Sequence, residues 1–305
     1  LDAYYSDWTT LSNGVAVPQQ AAISIDGEVV HEELRTITGN PDIPATAFTV
    51  PDGGMTMVVE DDAKRGERSH QFYEMYGTIG SPRDGNQIRV LPRELQPGVW
   101  HVEGSTHNSL VVEQTGGIVL VEAPLYAKRS EALLTWIGTQ FPNKPVTHVI
   151  VTHFHSDHSS GLRTFVSAGA TVIAGDAALG LYRRVFSARR TIEPDRQTTR
   201  PRQAVLRGVS PGAVVTLPSG NQSVNIYTVN TTHSADMVVS VANGVLFVSD
   251  IYNPGVPGRL AELRELRQAI SDNPAIPVTT IAGSHGTTST LQELDELISR
   301  SASPP

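Results

Sequence analysis

The sequence predicts a layered α/β domain preceded by a small β-rich region. Three observations carry this reading. From about residue 89 onward, short apolar runs alternate with segments of helical spacing. Several of those runs end in a polar loop that carries His or Asp. Residues 1–88 lack this alternation and read as extended sequence followed by a polar stretch rich in Gly and Pro towards its end.

Taken in order, "AAISIDGEVVHEELRTITG" reads as two strands joined by a tight turn at Asp26-Gly27. "ATAFTVPDGGMTMVV" adds extended sequence, and "EDDAKRGERSHQFYEMYGTIGSPRDGNQ" reads as a helix and a linker. The domain boundaries expected are therefore 1–88 for the β-rich region and linker and 89–305 for the α/β domain. In the latter, "SLVVEQTGGIVLVEAP" is two strands about Gly116-Gly117, and "KRSEALLTWIGTQF" is a helix. "VTHVIVT" is a buried strand, "SSGLRTFVSAG" a helix ending at Gly169, "ATVIAG" a strand and "DAALGLYRRVFSARR" a helix. "SVNIYTV" is a strand, and "MVVSVANGVLFVSD" is a hairpin about Asn243-Gly244. "RLAELRELRQAI" is an amphipathic helix, "VTTIAGSHG" a strand running into a loop, and "TLQELDELISR" a last helix.

Composition narrows the partners. The 305 residues are 39% hydrophobic, enough for a proper core, and no apolar run approaches the 18 or so residues of a membrane span. A net charge of -8 means nucleic acid and anionic membranes are not the default partners. The partners expected are a small-molecule substrate and, in one alternative, further copies of the chain. The chain has no cysteine, which excludes disulfides and thiolate metal ligands. It opens at Leu1 rather than Met, which reads as a processed or trimmed chain, with an exported protein favoured over an internal one.

The stretch "VTHFHSDHSSGL" packs three histidines and an aspartate into six positions. Residues two apart on an extended chain point the same way, so His153 and His155 can converge on one ion. Asp157 and His158 lie in the next turn and can face a second point nearby. Imidazole and carboxylate are zinc ligands. The bland alternative is a polar loop of hydrogen-bonded histidines, which this dense spacing does not need. Further donors follow later: His233 after the strand "SVNIYTV", Asp250 at the end of "VLFVSD", and His285 just past "TTIAG". Each stands where an apolar strand emits a loop, so all can gather at one edge of a sheet.

With these residues, H-x-H-x-D-H at 153–158 followed by His233, Asp250 and His285, the chain from about residue 89 to 305 resembles the metallo-β-lactamase superfamily. The resemblance implies a four-layer αββα sandwich with its site at one edge. It implies that His153, His155 and His233 bind a first metal, that Asp157, His158 and His285 bind a second, and that Asp250 bridges them. A histidine at 155, where flavodiiron relatives carry glutamate, favours two Zn²⁺, with manganese or iron as the other metals of the class. Two such ions, two carboxylates and a bridging hydroxide sum to a formal +1. A site of that charge can present hydroxide near neutral pH and stabilise an oxyanion. The implied activity is a metal-dependent hydrolase, with Asp157 also orienting the hydroxide or shuttling a proton to the leaving group.

Substrate class follows less directly. The superfamily's β-lactamases usually carry Cys or Ser where this chain has Asp250. The expected substrate is therefore a small ester-like bond, a lactone or carboxyl ester, ahead of a β-lactam or thioester. Phosphodiesterase or nuclease chemistry and a non-catalytic metal-binding module are the rival readings. Tyr252 in "SDIYNPG" reads either as an oxyanion donor or as a loop tyrosine packed on the sheet. His107 in "GSTHNSL" reads either as a substrate-binding residue on the rim or as an ordinary loop residue. Asp236 reads as a turn-former. The eight arginines and two acids of residues 183–207 read as a solvated face, or alternatively as a lid for an anionic group. Glu122 in "VLVEAP" stands where many members have Asp in an I-D-x-G turn, so the resemblance implies a carboxylate supporting the metal site. His31, His70, His101 and His148 read as structural or surface residues.

Overall fold

The computed structural model describes residues 2–25, 28–39, 41–44, 88–104, 106–191, 194–220, 222–256 and 258–302. The Asp26-Gly27 turn, the extended segment 45–59 and the helix and linker expected over 60–87 lie outside these residues. The chain divides into two compact units, Leu1–Asp61 and Asp62–Pro305. In the first, β1 (Asp2–Thr10), β2 (Ala16–Ile25) and β3 (Glu28–Leu34) form an antiparallel sheet in that order. Ala21 and Ile23 of β2 are buried, and Tyr4, Tyr5 and Trp8 of β1 are exposed.

The second unit opens with β4 (Leu91–Gln96), β5 (Val99–Glu103), β6 (Ser109–Gln114) and β7 (Gly117–Val121). Then come α1 (Ala127–Gln140), β8 (Val146–Ile150), α2 (Ser156–Ser159), α3 (Leu162–Ala168), β9 (Thr171–Gly175), α4 (Leu179–Ser187), α5 (Arg196–Thr199) and β10 (Val205–Val209). These strands make a seven-stranded sheet in the order β10-β9-β8-β7-β6-β5-β4, parallel from β7 to β10 and antiparallel elsewhere. The remaining strands are β11 (Val214–Leu217), β12 (Val224–Thr228), β13 (Val238–Ala242), β14 (Val245–Val248), β15 (Thr280–Gly283) and β16 (Thr288–Ser289), which form a second, six-stranded sheet in sequence order. Between and after them run α6 (Leu260–Asp272) and α7 (Leu291–Ala302).

Strand alternation sorts the side chains into three apolar layers. On β7, Ile118 and Leu120 join Leu133, Ile137, Phe165 and Tyr182 of α1, α3 and α4. Val119 and Val121, on the other face, meet Val224, Val238, Phe247 and Ala282 of the second sheet. The far face of that sheet, with Val239, Leu246 and Ile281, packs on Leu263, Leu266 and Ile270 of α6 and Leu294 of α7. Helices, sheet, sheet, helices: the αββα sandwich implied by the resemblance is the fold. Strands buried on both faces read as continuous apolar runs, which is why β7, β13 and β14 were so plain in the sequence.

The segment 156–169 is two helices rather than one, with Gly161 between them. A side chain there would strike Ser130 and the carbonyl of Ala123, whose oxygen accepts from the Gly161 amide at 2.9 Å. At Asn243-Gly244 both residues have positive φ, as a two-residue hairpin turn requires. In the arginine-rich segment, seven of the eight arginines face water. Its acid Asp195 caps α5 and holds the buried Arg163.

Candidate metal centre

Parallel strands deliver their C-terminal ends to one edge, and the site is built there. His153 and His155 follow β8, and Asp157 and His158 sit on α2. His233 lies in the connection from β12 to β13, Asp250 follows β14, and His285 follows β15. Two of the supporting positions carry left-handed backbone, Glu122 at φ 66° and Asp250 at φ 40°. A non-glycine residue in that region is strained, and such strain is held only where neighbours over-determine it.

The seven expected donors come together, with His107 among them, in two groups: His153, His155, His233 and Asp250, and His107, Asp157, His158 and His285. Asp250 links them. Its Oδ2 lies 3.4 Å from His153 Nε2 and 3.2 Å from His233 Nε2. Its Oδ1 lies 3.1 Å from both His158 Nε2 and His285 Nε2. Asp157 Oδ2 is 3.4 Å from His158 Nε2 and 3.2 Å from His107 Nε2.

These distances allow a test of whether a cation fits. Charge-assisted N–H to carboxylate bonds close to about 2.7–2.9 Å. Two ligands each about 2.0–2.1 Å from one metal stand roughly 3–3.4 Å apart. The contacts around both Asp250 oxygens match the second pattern. In addition, His153 Nε2, His158 Nε2 and Asp157 Oδ1 are buried without a hydrogen bond. Oxygen and imidazole donors at such edges, aimed inward, suit a divalent cation such as zinc.

The groups behind the histidines fix which nitrogen faces in. Glu122, fully buried, takes the Thr152 hydroxyl proton on one oxygen and the His158 Nδ1–H on the other at 2.9 Å. Thr152, having given its proton away, accepts from His153 Nδ1 at 3.1 Å. His285 Nδ1 donates to the Thr106 carbonyl at 2.9 Å. In each case Nε2 is left toward the cluster. Glu262 of α6 stands 3.7 Å from His233 Nδ1.

Without a cation, protons perform part of the neutralisation. Burial alone would lower His158, but the charges of Glu122 and Asp250 push it well above its ordinary value. Burial likewise works against charging His233, yet its bonds to Asp250 and Glu262 push it up to about 9. His285 is raised in the same way, its bond to Asp250 overcoming burial. For His155, burial, with His153 and His233 beside it, outweighs the charges of Asp250 and Asp157 and brings it down to about 3. Burial would raise both aspartates, but His158 and its neighbours hold Asp250, and His107 and His158 hold Asp157, well below the carboxylate range.

Tyr252 is 3% exposed, packs in the layer between the second sheet and α6, and donates its hydroxyl to Ser289 Oγ at 2.8 Å. The oxyanion donor expected there is thus committed to Ser289. His107 is buried, and so does not stand open on a rim. Asp236, read as a turn-former, accepts from the hydroxyl of Ser234 and is buried against Gly175, with burial raising its carboxyl. His101 is buried and paired with the Gly283 carbonyl at 2.9 Å. Glu262 and the buried Arg129, whose guanidinium donates to the His107 carbonyl at 3.3 Å, were not singled out in the sequence. Only their burial gives them away. Phe154, between the two first histidines, is 44% exposed and stacks edge-on against His155.

Comparison with known proteins rests on the same portion of the chain. The profile of the metallo-beta-lactamase superfamily matches residues 102–302. Among solved structures, a metallo-beta-lactamase from Pontibacter korlensis aligns with a TM-score of 0.54 at 20% identity, over 69% of this chain and 98% of its own. One from Hirschia baltica aligns with a TM-score of 0.52 at 21% identity, over 69% and 97%. The DIM-1 metallo-beta-lactamase exposed to ceftazidime aligns with a TM-score of 0.54 at 17% identity, over 72% and 100%. No curated protein matches the chain. At these identities the solved structures speak for the fold alone, and the profile, spanning most of the chain, speaks for the family: this chain belongs to the metallo-beta-lactamase superfamily.

Proposed function

We propose that the chain is a hydrolase that holds two Zn²⁺ ions, the first by His153, His155 and His233, the second by Asp157, His158 and His285, with Asp250 shared. The observation that supports this most is Asp250, one oxygen turned to each group at 3.1–3.4 Å. A bound pair of divalent ions supplies a water acidic enough to ionise near neutral pH and an electrophile for the oxygen of the bond attacked. The chain's own part is proton handling and placement. Asp157 Oδ1 is buried and carries no hydrogen bond, so it can accept the proton of an attacking water. Its other oxygen, close to His107 and His158, fixes the carboxylate in place. As the bond from acyl carbon to leaving oxygen breaks, the same proton passes to that oxygen, which balances hydrolysis to an acid and an alcohol.

The substrate class is a small lactone or carboxyl ester. A carboxylate at 250 and the exposed ring of Phe154 at the edge of the site support a compact substrate with an apolar portion. β-Lactams are the second class, since the solved structures of like fold carry that name.

Zinc reconstitution followed by metal analysis is expected to give two ions per chain, and a chain that takes up none sinks the reading. A panel of lactones, aryl esters, thioesters, β-lactams and bis-aryl phosphates is expected to show turnover of lactones or esters first. Turnover of phosphodiesters alone would reverse the substrate assignment. Asp157→Ala is expected to lower kcat by roughly 100- to 10,000-fold, the range of a lost general base. Full retention of kcat would remove Asp157 from the proton path.

A further inference from the structure

We propose that His107 is a fourth histidine-or-aspartate ligand of the second cation, bound through Nε2 alongside Asp157, His158 and His285. The inference rests on the two-cation reading above and adds to it a donor from an element that reading does not use, the connection between β5 and β6.

Four observations carry it. His107 belongs to the same converging set as the other three, its ring centroid 4.1 Å from that of His285 and 4.9 Å from that of His158. Its Nε2 stands 3.2 Å from Asp157 Oδ2, the length of an edge between two ligands of one metal and longer than a charge-assisted hydrogen bond. Its Nδ1 lies 2.8 Å from Thr106 Oγ1, a hydroxyl that can accept the Nδ1 proton and leave the Nε2 lone pair facing inward. The backbone is also held where a ligand needs it. Arg129 donates to the His107 carbonyl, and the neighbouring Asn108 donates its side-chain amide to the carbonyls of Gly283 at 3.1 Å and Gly286 at 3.0 Å. The Asn108 main-chain amide donates to Ser284 at 2.7 Å. The loops of His107 and His285 are thereby locked together, which fixes both rings against the same point.

The consequence is an unequal pair. The second cation would have His107, Asp157, His158, His285 and one oxygen of Asp250, and the first only His153, His155, His233 and the other oxygen. The second position is then the tighter of the two and fills first. The competing role is a hydrogen bond in which His107 Nε2–H merely holds Asp157.

The two roles separate with His107→Gln and His107→Ala. Glutamine places an N–H close to where imidazole Nε2 stands, so it can hold Asp157 but is a poor ligand. Affinity for each cation is measured by competition with a chelator, and the Co²⁺-loaded protein is read by its paramagnetically shifted imidazole N–H resonances. Circular dichroism and thermal unfolding of both apo variants control for folding. The expected result is a loss of second-cation affinity of more than 100-fold in both variants, beyond what removal of an outer partner causes. One shifted N–H signal should disappear with the histidine. Near-wild-type affinity in His107→Gln, with the signals unchanged, overturns ligation in favour of the hydrogen bond. Unchanged affinity in His107→Ala overturns both. Wild-type protein that binds fewer than two cations overturns the underlying reading instead, and is recognised before any variant is made.

Discussion

The two halves of the centre use the same residue types and support them differently. His153, His155 and His233 gather with Asp250, one oxygen of which faces His153 and His233. Behind them stand a threonine hydroxyl and, at 3.7 Å, Glu262. The other half contains Asp157 as a member, and behind His158 lies Glu122, fully buried and bonded at 2.9 Å. Charge accounts for the contrast: a half that carries its own carboxylate, backed by a second one in a dry setting, attracts a cation more strongly than a half whose other members are all imidazoles. The difference teaches that a carboxylate shared by two groups need not make them equivalent. What each ring leans on decides.

The largest way to break the comparison is to remove what the halves share. Asp250→Ala is expected to leave fewer than one metal per chain and to cut hydrolysis by at least ~1000-fold, since it deprives both positions at once. If one ion were kept at full affinity, Asp250 would belong to a single half. Glu122→Gln comes next: affinity at the second position is expected to fall about 10–100-fold and at the first by less, since Glu122 meets His158 directly and His153 only through Thr152. Glu262→Gln is its mirror and is expected to cost the first position about tenfold, the low end of that range, because its contact is longer and more exposed. Chelator competition reads both, and equal losses at both positions in either variant would erase the distinction.

The smallest effect is on pH and belongs to the metal-free protein. The folded-state value of His233 is raised to about 9 by Asp250 and Glu262 against an ordinary 6.5. Its contribution to stability is therefore complete below pH 6.5 and is lost as pH rises through about 9. Denaturant midpoints of the apo protein should decline across that window. Those of Glu262→Gln should decline less, and an identical slope in the two would remove Glu262 from the account.

Much of this was legible in the chain itself, for local reasons. The gathering of the seven residues could be read because five stand in loops that follow apolar strands and two on the short helix after β8, and a strand end is visible in a few residues. The layers could be read because β7, β13 and β14 are apolar without a break. What escaped depends on contacts far apart in sequence. Glu262 looks like any acid on an amphipathic helix, and nothing near it points to His233. Arg129 looks like the polar face of α1, although it is buried under the loop of His107. His107 was named in the sequence as a candidate on the rim, but its place beside His285 shows only in the pairing of the two loops. Tyr252 settles between its two sequence readings: two positions from Asp250 in sequence, it packs into the layer beneath, the sheet-packing tyrosine rather than the oxyanion donor.

The reach of the site along the chain bears on how the protein matures. The donors run from residue 107 to residue 285 and come from both sheets. No early part of the chain can therefore hold a cation in the proposed way; the sheets must first dock along their shared apolar layer. Ion uptake would then be a closing event of folding and, once complete, a strap across two layers that have to part for the domain to unravel. Lifetime at elevated temperature, rather than equilibrium stability alone, is the quantity such a strap would lengthen most.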